Sequence, residues 1–133
     1  MKRLNVYYRK INYIVNKLSN LPKDLDNDIV LDAVLYRIHT SIESAMDIIA
    51  MLVKDLGLDV EDDYTNIETL EKKGIFDREL ADILKRLNGL RNVIVHRYNK
   101  IEEQIIKENL DAITESLFKF VSVVENVLRE IFR

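Results

Sequence analysis

Along almost the whole chain, apolar residues recur at alternating spacings of three and four, the period of helices that bury one face. The first series is Leu4, Tyr8, Ile11, Val15 and Leu18, and it stops before Pro22, the single proline. A second series, Leu31, Leu35, Ile38, Ile42, Ala45, Ile49, Leu52 and Leu56, predicts a helix roughly 40 Å long at 1.5 Å per residue. Residues 24–28 supply its capping candidates and Gly57 its end, after which the acidic stretch Asp59 to Asp63 reads as a solvated loop. Thr65-Asn66-Ile67-Glu68 has capping-box spacing and opens a short third helix that closes at Gly74. Asp77 can cap a fourth, carrying Leu80, Ile83, Leu84, Leu87, Leu90 and Ile94 and ending near Asn99. A fifth helix carries Ile106, Leu110, Ile113, Leu117, Phe120, Val124, Val127 and Ile131.

Four long helices with a shared repeat near 3.5 residues pack at shallow crossing angles. The expected fold is therefore all-α: an antiparallel four-helix bundle with an additional short helix, in one domain over residues 1–133. Only three glycines in 133 residues, 47% apolar and 32% charged, leave few breaks and enough hydrophobic surface for one core. Apolar residues also flank the main stripes, namely Val34, Ile48 and Met51 on the second helix and Val121, Val123 and Leu128 on the last. A second subunit or a further packed helix would cover them equally well.

The absence of cysteine excludes disulfides, thiolate metal sites and a cysteine nucleophile, and suits a reducing cytosol. Polar residues interrupt Leu4 to Leu18, and the strongest apolar run, Ile48 to Val53, is too short for a bilayer, so neither a signal-peptide core nor a membrane span is expected. The expected location is the cytoplasm. A formal charge of −3 argues against a surface broadly coated for nucleic acid. Between Asp82 and Glu102, however, Lys85, Arg86, Arg91, Arg97 and Lys100 occur without one acidic residue, which predicts a local cationic patch.

The centre of that patch is Arg91-Asn92-Val93-Ile94-Val95-His96-Arg97-Tyr98. On an ideal helix with Leu87 at zero, Arg91 falls at about 40° and Tyr98 at about 20°, beside the apolar seam, and His96 at about 180°. Lys85, Asn88, Gly89 and Asn92 share the His96 side, where a solvated helix face ordinarily carries Glu–Lys pairs. A plainer reading makes Arg91 a core-edge side chain, His96 a surface histidine and the asparagines the end of the helix. The run Arg91-x4-His96-x-Tyr98 resembles the signature of the HepT branch of HEPN domains, including the polar Asn92 after the arginine. The resemblance extends over essentially the whole chain, through the long second helix, the segment Tyr64 to Gly74, Gly89 and the terminal amphipathic helix.

The resemblance implies a homodimeric HEPN-like bundle acting as a metal-independent endoribonuclease, the toxin of a toxin–antitoxin pair, with no cofactor and no metal. Arg91 and His96 are its implied catalytic residues, with Asn92 in support. Tyr98 is the implied target of adenylylation by a cognate minimal nucleotidyltransferase that serves as antitoxin. The chemistry suits the residues: imidazole titrates near neutrality and can take a proton from a ribose 2′-hydroxyl, and a guanidinium can hold the phosphate. Yet Arg91 and His96 stand about 140° apart on an ideal helix, so a bent helix end or a second chain must help. Such cleavage also needs an acid as well as a base, and the only other histidine, His39, belongs to the second helix and reads as an ordinary polar residue of its series. A dimer bringing two copies of His96 together answers both points. The i,i+4 carboxylates Glu43 and Asp47 make a poor metal signal without a third ligand, and core-edge packing accounts for Tyr7, Tyr8 and Tyr13 better than base stacking. Two other functions fit the same helices: a non-catalytic binding partner that holds a nucleotidyltransferase or presents its substrate, and a plain dimerisation module, which leaves the cationic motif unexplained.

Overall fold

The computed structural model describes the backbone of residues 2–96 and 100–132, and the side chains of these except Lys2, His96, Lys100, Ile101 and Glu102. Six helices succeed one another: α1 (Lys2–Leu18), α2 (Asp28–Asp55), α3 (Asp63–Lys72), α4 (Arg78–His96), α5 (Lys100–Glu108) and α6 (Leu110–Ile131). No strand occurs among the described residues, so the all-α expectation holds. Helix α2 is the organiser, packing against α1, α3, α4 and α6.

Side-chain pairs fix the directions. Arg3 meets Asp55, Lys10 meets Asp47 and Arg37 reaches the Lys17 carbonyl, so α1 and α2 run antiparallel. Arg91 meets Asp63 while Lys85 meets Glu68 and Glu71, which makes α3 antiparallel to α4. One hydrophobic cluster joins these helices, with Tyr7, Ile38, Ile42, Ile49, Leu52, Leu70, Leu84 and Phe120 fully buried or nearly so. Phe76, between α3 and α4, lies 6.1 Å from the Phe120 ring and ties that corner to α6.

Helix ends follow local chemistry. The Asn27 side chain accepts from the amides of Ile29 and Val30 and starts α2. Gly57 and Gly74 take φ of +77° and +78°, the left-handed conformation that lets the next amides fold back. Leu58 N–H bonds Val53 C=O and Ile75 N–H bonds Leu70 C=O, closing α2 and α3 in the same way. Asp77 caps α4 through the Leu80 amide, as its position predicts.

Two expectations need correction, and one choice left open is decided. Helix α3 begins earlier than Thr65: Asp62 is the cap and accepts the Thr65 N–H at 2.7 Å. The last apolar series is not one helix, because Asn109 separates α5 from α6. Its φ and ψ of −107° and 10° leave the helical region, and its Nδ2 donates to the Ile105 carbonyl at 2.7 Å. Finally, Val34, Ile48, Val121 and Leu128 are buried within the chain itself, with Met51 and Val123 packed against the core, so these residues give no reason to invoke a second subunit.

Candidate functional site

The site is built where α2, α3 and α4 converge on Arg91. Its guanidinium, on a side chain 20% exposed, donates from Nη2 to Asp63 Oδ2 at 3.0 Å. Nη1 stands 3.6 Å from Glu43 Oε1, and the same oxygen lies 3.7 Å from His39 Nε2, one turn earlier on α2. Asp63 is delivered by a rigid corner. The buried Asn66 side chain accepts from Glu61 N–H at 2.8 Å and donates to Glu61 C=O at 3.1 Å. Asp62 caps the helix one residue before Asp63, and hydrogen bonds from the Thr65 hydroxyl and amide hold its carboxyl below the usual range. The acidic stretch expected to be a solvated loop thus ends in a fixed partner for Arg91.

Of the three cations of the 82–102 window whose side chains are described, Lys85 and Arg91 are paired across space. Lys85 Nζ lies 3.4 Å from Glu68 and 3.9 Å from Glu71, and 4.8 Å from the centre of the Tyr64 ring. With Arg91 between two carboxylates, the described part of the expected cationic patch is a mosaic of paired charges with Arg86 as its exposed cation, while Arg97 and the Lys100 side chain lie outside the described residues. A sequence window has no view of acidic residues that α2 and α3 bring to its face. Asn92 is exposed, as is Gly89, where an added Cβ would meet open space.

His96 is the last residue of α4, but its side chain lies outside the described residues, as do Arg97 and Tyr98 entirely. The structure therefore brings Arg91, Glu43, Asp63 and His39 together and leaves the Arg91–His96 geometry open. His39 is 23% exposed and lines a cavity of about 270 Å³ with Asp32, Leu35, Tyr36, Ile94 and Val95. Glu43 and Asp47 part company, since Asp47 pairs with Lys10 at 3.1 Å on the α1 side. Among the described residues no three His, Asp or Glu side chains gather as a metal site. Tyr7 is buried, with its hydroxyl donating to Asp55 at 2.6 Å, which makes it a structural residue.

Residues 4–124 match the family described as Ribonuclease HepT-like. The chain belongs to that family. Two proteins of Archaeoglobus fulgidus that carry the provisional name RNase are similar to this HepT-like chain. One is 50% identical over 125 residues, covering 94% of this chain and 95% of its own length. The other is 38% identical, covering 91% and 95%. Among solved structures, the MntA–HpeT toxin–antitoxin complex contains a chain that superposes with a TM-score of 0.80 at 20% identity, covering 91% of this chain and 98% of that one. A tri-AMPylated Shewanella oneidensis HEPN toxin in complex with an MNT antitoxin gives a TM-score of 0.72, also at 20% identity, over 94% and 95% of the two chains. At that identity the structural likeness establishes the HEPN fold, and the sequence match establishes the family.

Proposed function

We propose that this HepT-like chain is a metal-independent endoribonuclease toxin that cuts RNA with Arg91 and His96 in a homodimer. The observation that carries the reading is Arg91, a guanidinium paired with Asp63 at the convergence of three helices, five residues before His96 in the Arg-x4-His-x-Tyr run. His96 takes the proton of a ribose 2′-hydroxyl, and the oxygen forms a bond to the adjacent phosphorus as the bond from phosphorus to the 5′-oxygen breaks. Arg91 binds the non-bridging oxygens and stabilises their growing charge, and Asn92, exposed on the same helix, orients the substrate or His96. The leaving oxygen needs a proton, and His96 of a second copy supplies it where two motifs meet. Tyr36 and Val95, 63% and 56% exposed beside the His39 cavity, offer that second copy an apolar surface next to the motif.

The antitoxin in this reading is a minimal nucleotidyltransferase that adenylylates Tyr98, as the modified toxin among the structural neighbours suggests. A nucleotide there adds bulk and negative charge two residues from His96 and excludes RNA. A cytoplasmic location fits both partners. A second reading, a non-catalytic partner of a nucleotidyltransferase, draws on the pairing of Lys85 and Arg91 with carboxylates, which lowers the attraction for RNA.

Incubation of RNA with protein in excess chelator separates the two. Wild type should cleave, and His96→Ala and Arg91→Ala should each lose at least about a hundredfold. Equal cleavage by all three would overturn the catalytic assignment. A wild-type dimer that leaves RNA intact, yet binds a nucleotidyltransferase equally well after His96→Ala, would favour the second reading.

A further inference from the structure

This inference rests on the proposal that Arg91 receives an RNA phosphate. A guanidinium with that task stands between two carboxylates, and an approaching phosphate meets their negative charge as well. The two carboxylates differ in every respect that governs exchange. Asp63 accepts a direct hydrogen bond from Nη2 at 3.0 Å, its side chain is 31% exposed, and its backbone is pinned at the capped start of α3. Glu43 approaches Nη1 at 3.6 Å, beyond direct hydrogen-bonding distance, and its side chain is 53% exposed. It also has other places to turn: His39 Nε2 at 3.7 Å, and an open cavity that it lines with Arg9, Tyr13 and the Lys10–Asp47 ion pair. Because the two carboxylates address different Nη atoms, one can leave while the other keeps the planar fork oriented.

We infer that Asp63 and Glu43 are positioning residues with opposite duties, Asp63 a fixed clamp on Arg91 and Glu43 an exchangeable counter-ion that an RNA phosphate displaces. In the free protein Glu43 screens Nη1. When phosphate arrives, the carboxylate turns toward His39 or toward Arg9 across the cavity, and Nη1 becomes a donor to the phosphate oxygens. The orientation of the guanidinium survives this exchange because Asp63 does not move.

Nitrogen NMR of the Arg91 Nε–H in the full chain tests this, with inorganic phosphate as the titrant and Arg91→Lys to identify the resonance. The variants are Asp63→Asn, Glu43→Gln and Glu79→Gln, the last removing one carboxylate from α4 that pairs with Lys119 at 3.9 Å. The Arg91 Nε–H should stay ordered in wild type, Glu43→Gln and Glu79→Gln, and lose order in Asp63→Asn. Phosphate should bind about two- to fivefold tighter to Glu43→Gln, the scale of an exposed ion pair, and unchanged to Glu79→Gln. In RNA cleavage, Glu43→Gln should lower KM with kcat within about twofold of wild type, whereas Asp63→Asn should lower kcat at least about tenfold. If Asp63→Asn does not fold, Asp63→Glu, which keeps the charge and moves it by one methylene, should show the same loss of kcat. An Arg91 equally ordered without Asp63, or phosphate affinity that does not rise in Glu43→Gln, would overturn the inference. Protein that meets both NMR expectations but leaves RNA intact would refute the ribonuclease proposal and uphold the clamp, and cleavage without the NMR differences would do the reverse.

Discussion

A buried hydroxyl must find an acceptor, and Tyr7 finds Asp55 at 2.6 Å, where Arg3 also donates at 2.9 Å. Burial pushes the Tyr7 phenol well above its usual range, and the hydrogen bond to Asp55 adds to the shift. The folded state therefore keeps the Tyr7 proton where the unfolded chain releases it. The stability from this arrangement is complete below the unfolded value of about 10 and is lost as pH rises beyond it. Tyr7→Phe should cost about 1 to 2 kcal/mol in denaturant unfolding at neutral pH, since Asp55 keeps Arg3, and should flatten the loss of stability above pH of about 10. At this same scale the candidate site was half legible. Arg91 stood out because its spacing to His96 and Tyr98 lies within eight consecutive residues of the sequence. Asp63 did not, because it acts on a residue 28 positions away and reads locally as one more acid in a polar loop. Glu43 was visible only as a member of an i,i+4 pair, a pattern that says nothing of which neighbouring helix each carboxylate will face.

Helix identity was far more legible than helix ends. Periodicity placed the four long helices because burial of one face is what creates the pattern, and the glycine stops worked because Gly57 and Gly74 both need φ that side chains disfavour. No neighbouring atom crowds either glycine, so the cost of a side chain there is that of the backbone alone. Gly57→Ala should lower stability by about 1 kcal/mol with unchanged helical circular dichroism in the native state. A neutral Gly57→Ala in a denaturant titration would contradict that account of the α2 end. The division at Asn109 escaped the pattern because Ile106, Leu110 and Ile113 keep their spacing through it, while the interruption comes from an asparagine side chain bonding to the preceding turn. Likewise the Thr65 capping box was out-competed by Asp62, whose carboxylate reaches the same turn three residues earlier.

At the scale of the whole molecule, α2 collects contacts from four other helices and places Glu43 and His39 beside the end of α4. The central position of α2 explains why its apolar surface extends beyond a single stripe: Val34 and Ile48 are needed inside the chain, not between chains. The case for a dimer therefore rests on different ground, the need for a second proton-transfer group and the exposed Tyr36 and Val95 at the motif's end of the bundle. Charge distribution also belongs to this scale. A chain of net charge −3 that pairs Lys85 and Arg91 with carboxylates offers little long-range attraction to a polyanion, so under the proposed function RNA binding should depend on contact at Arg91 more than on a diffuse field.

The central claim is that this architecture cuts RNA by attack of the ribose 2′-oxygen, and the ends of the products read that step directly. Mass spectrometry of RNA treated with wild-type protein in excess chelator should find 2′,3′-cyclic phosphate and 5′-hydroxyl ends, and RNA carrying 2′-O-methyl groups throughout should remain whole. Products bearing 3′-hydroxyl and 5′-phosphate, or cleavage of the 2′-O-methyl RNA, would contradict it.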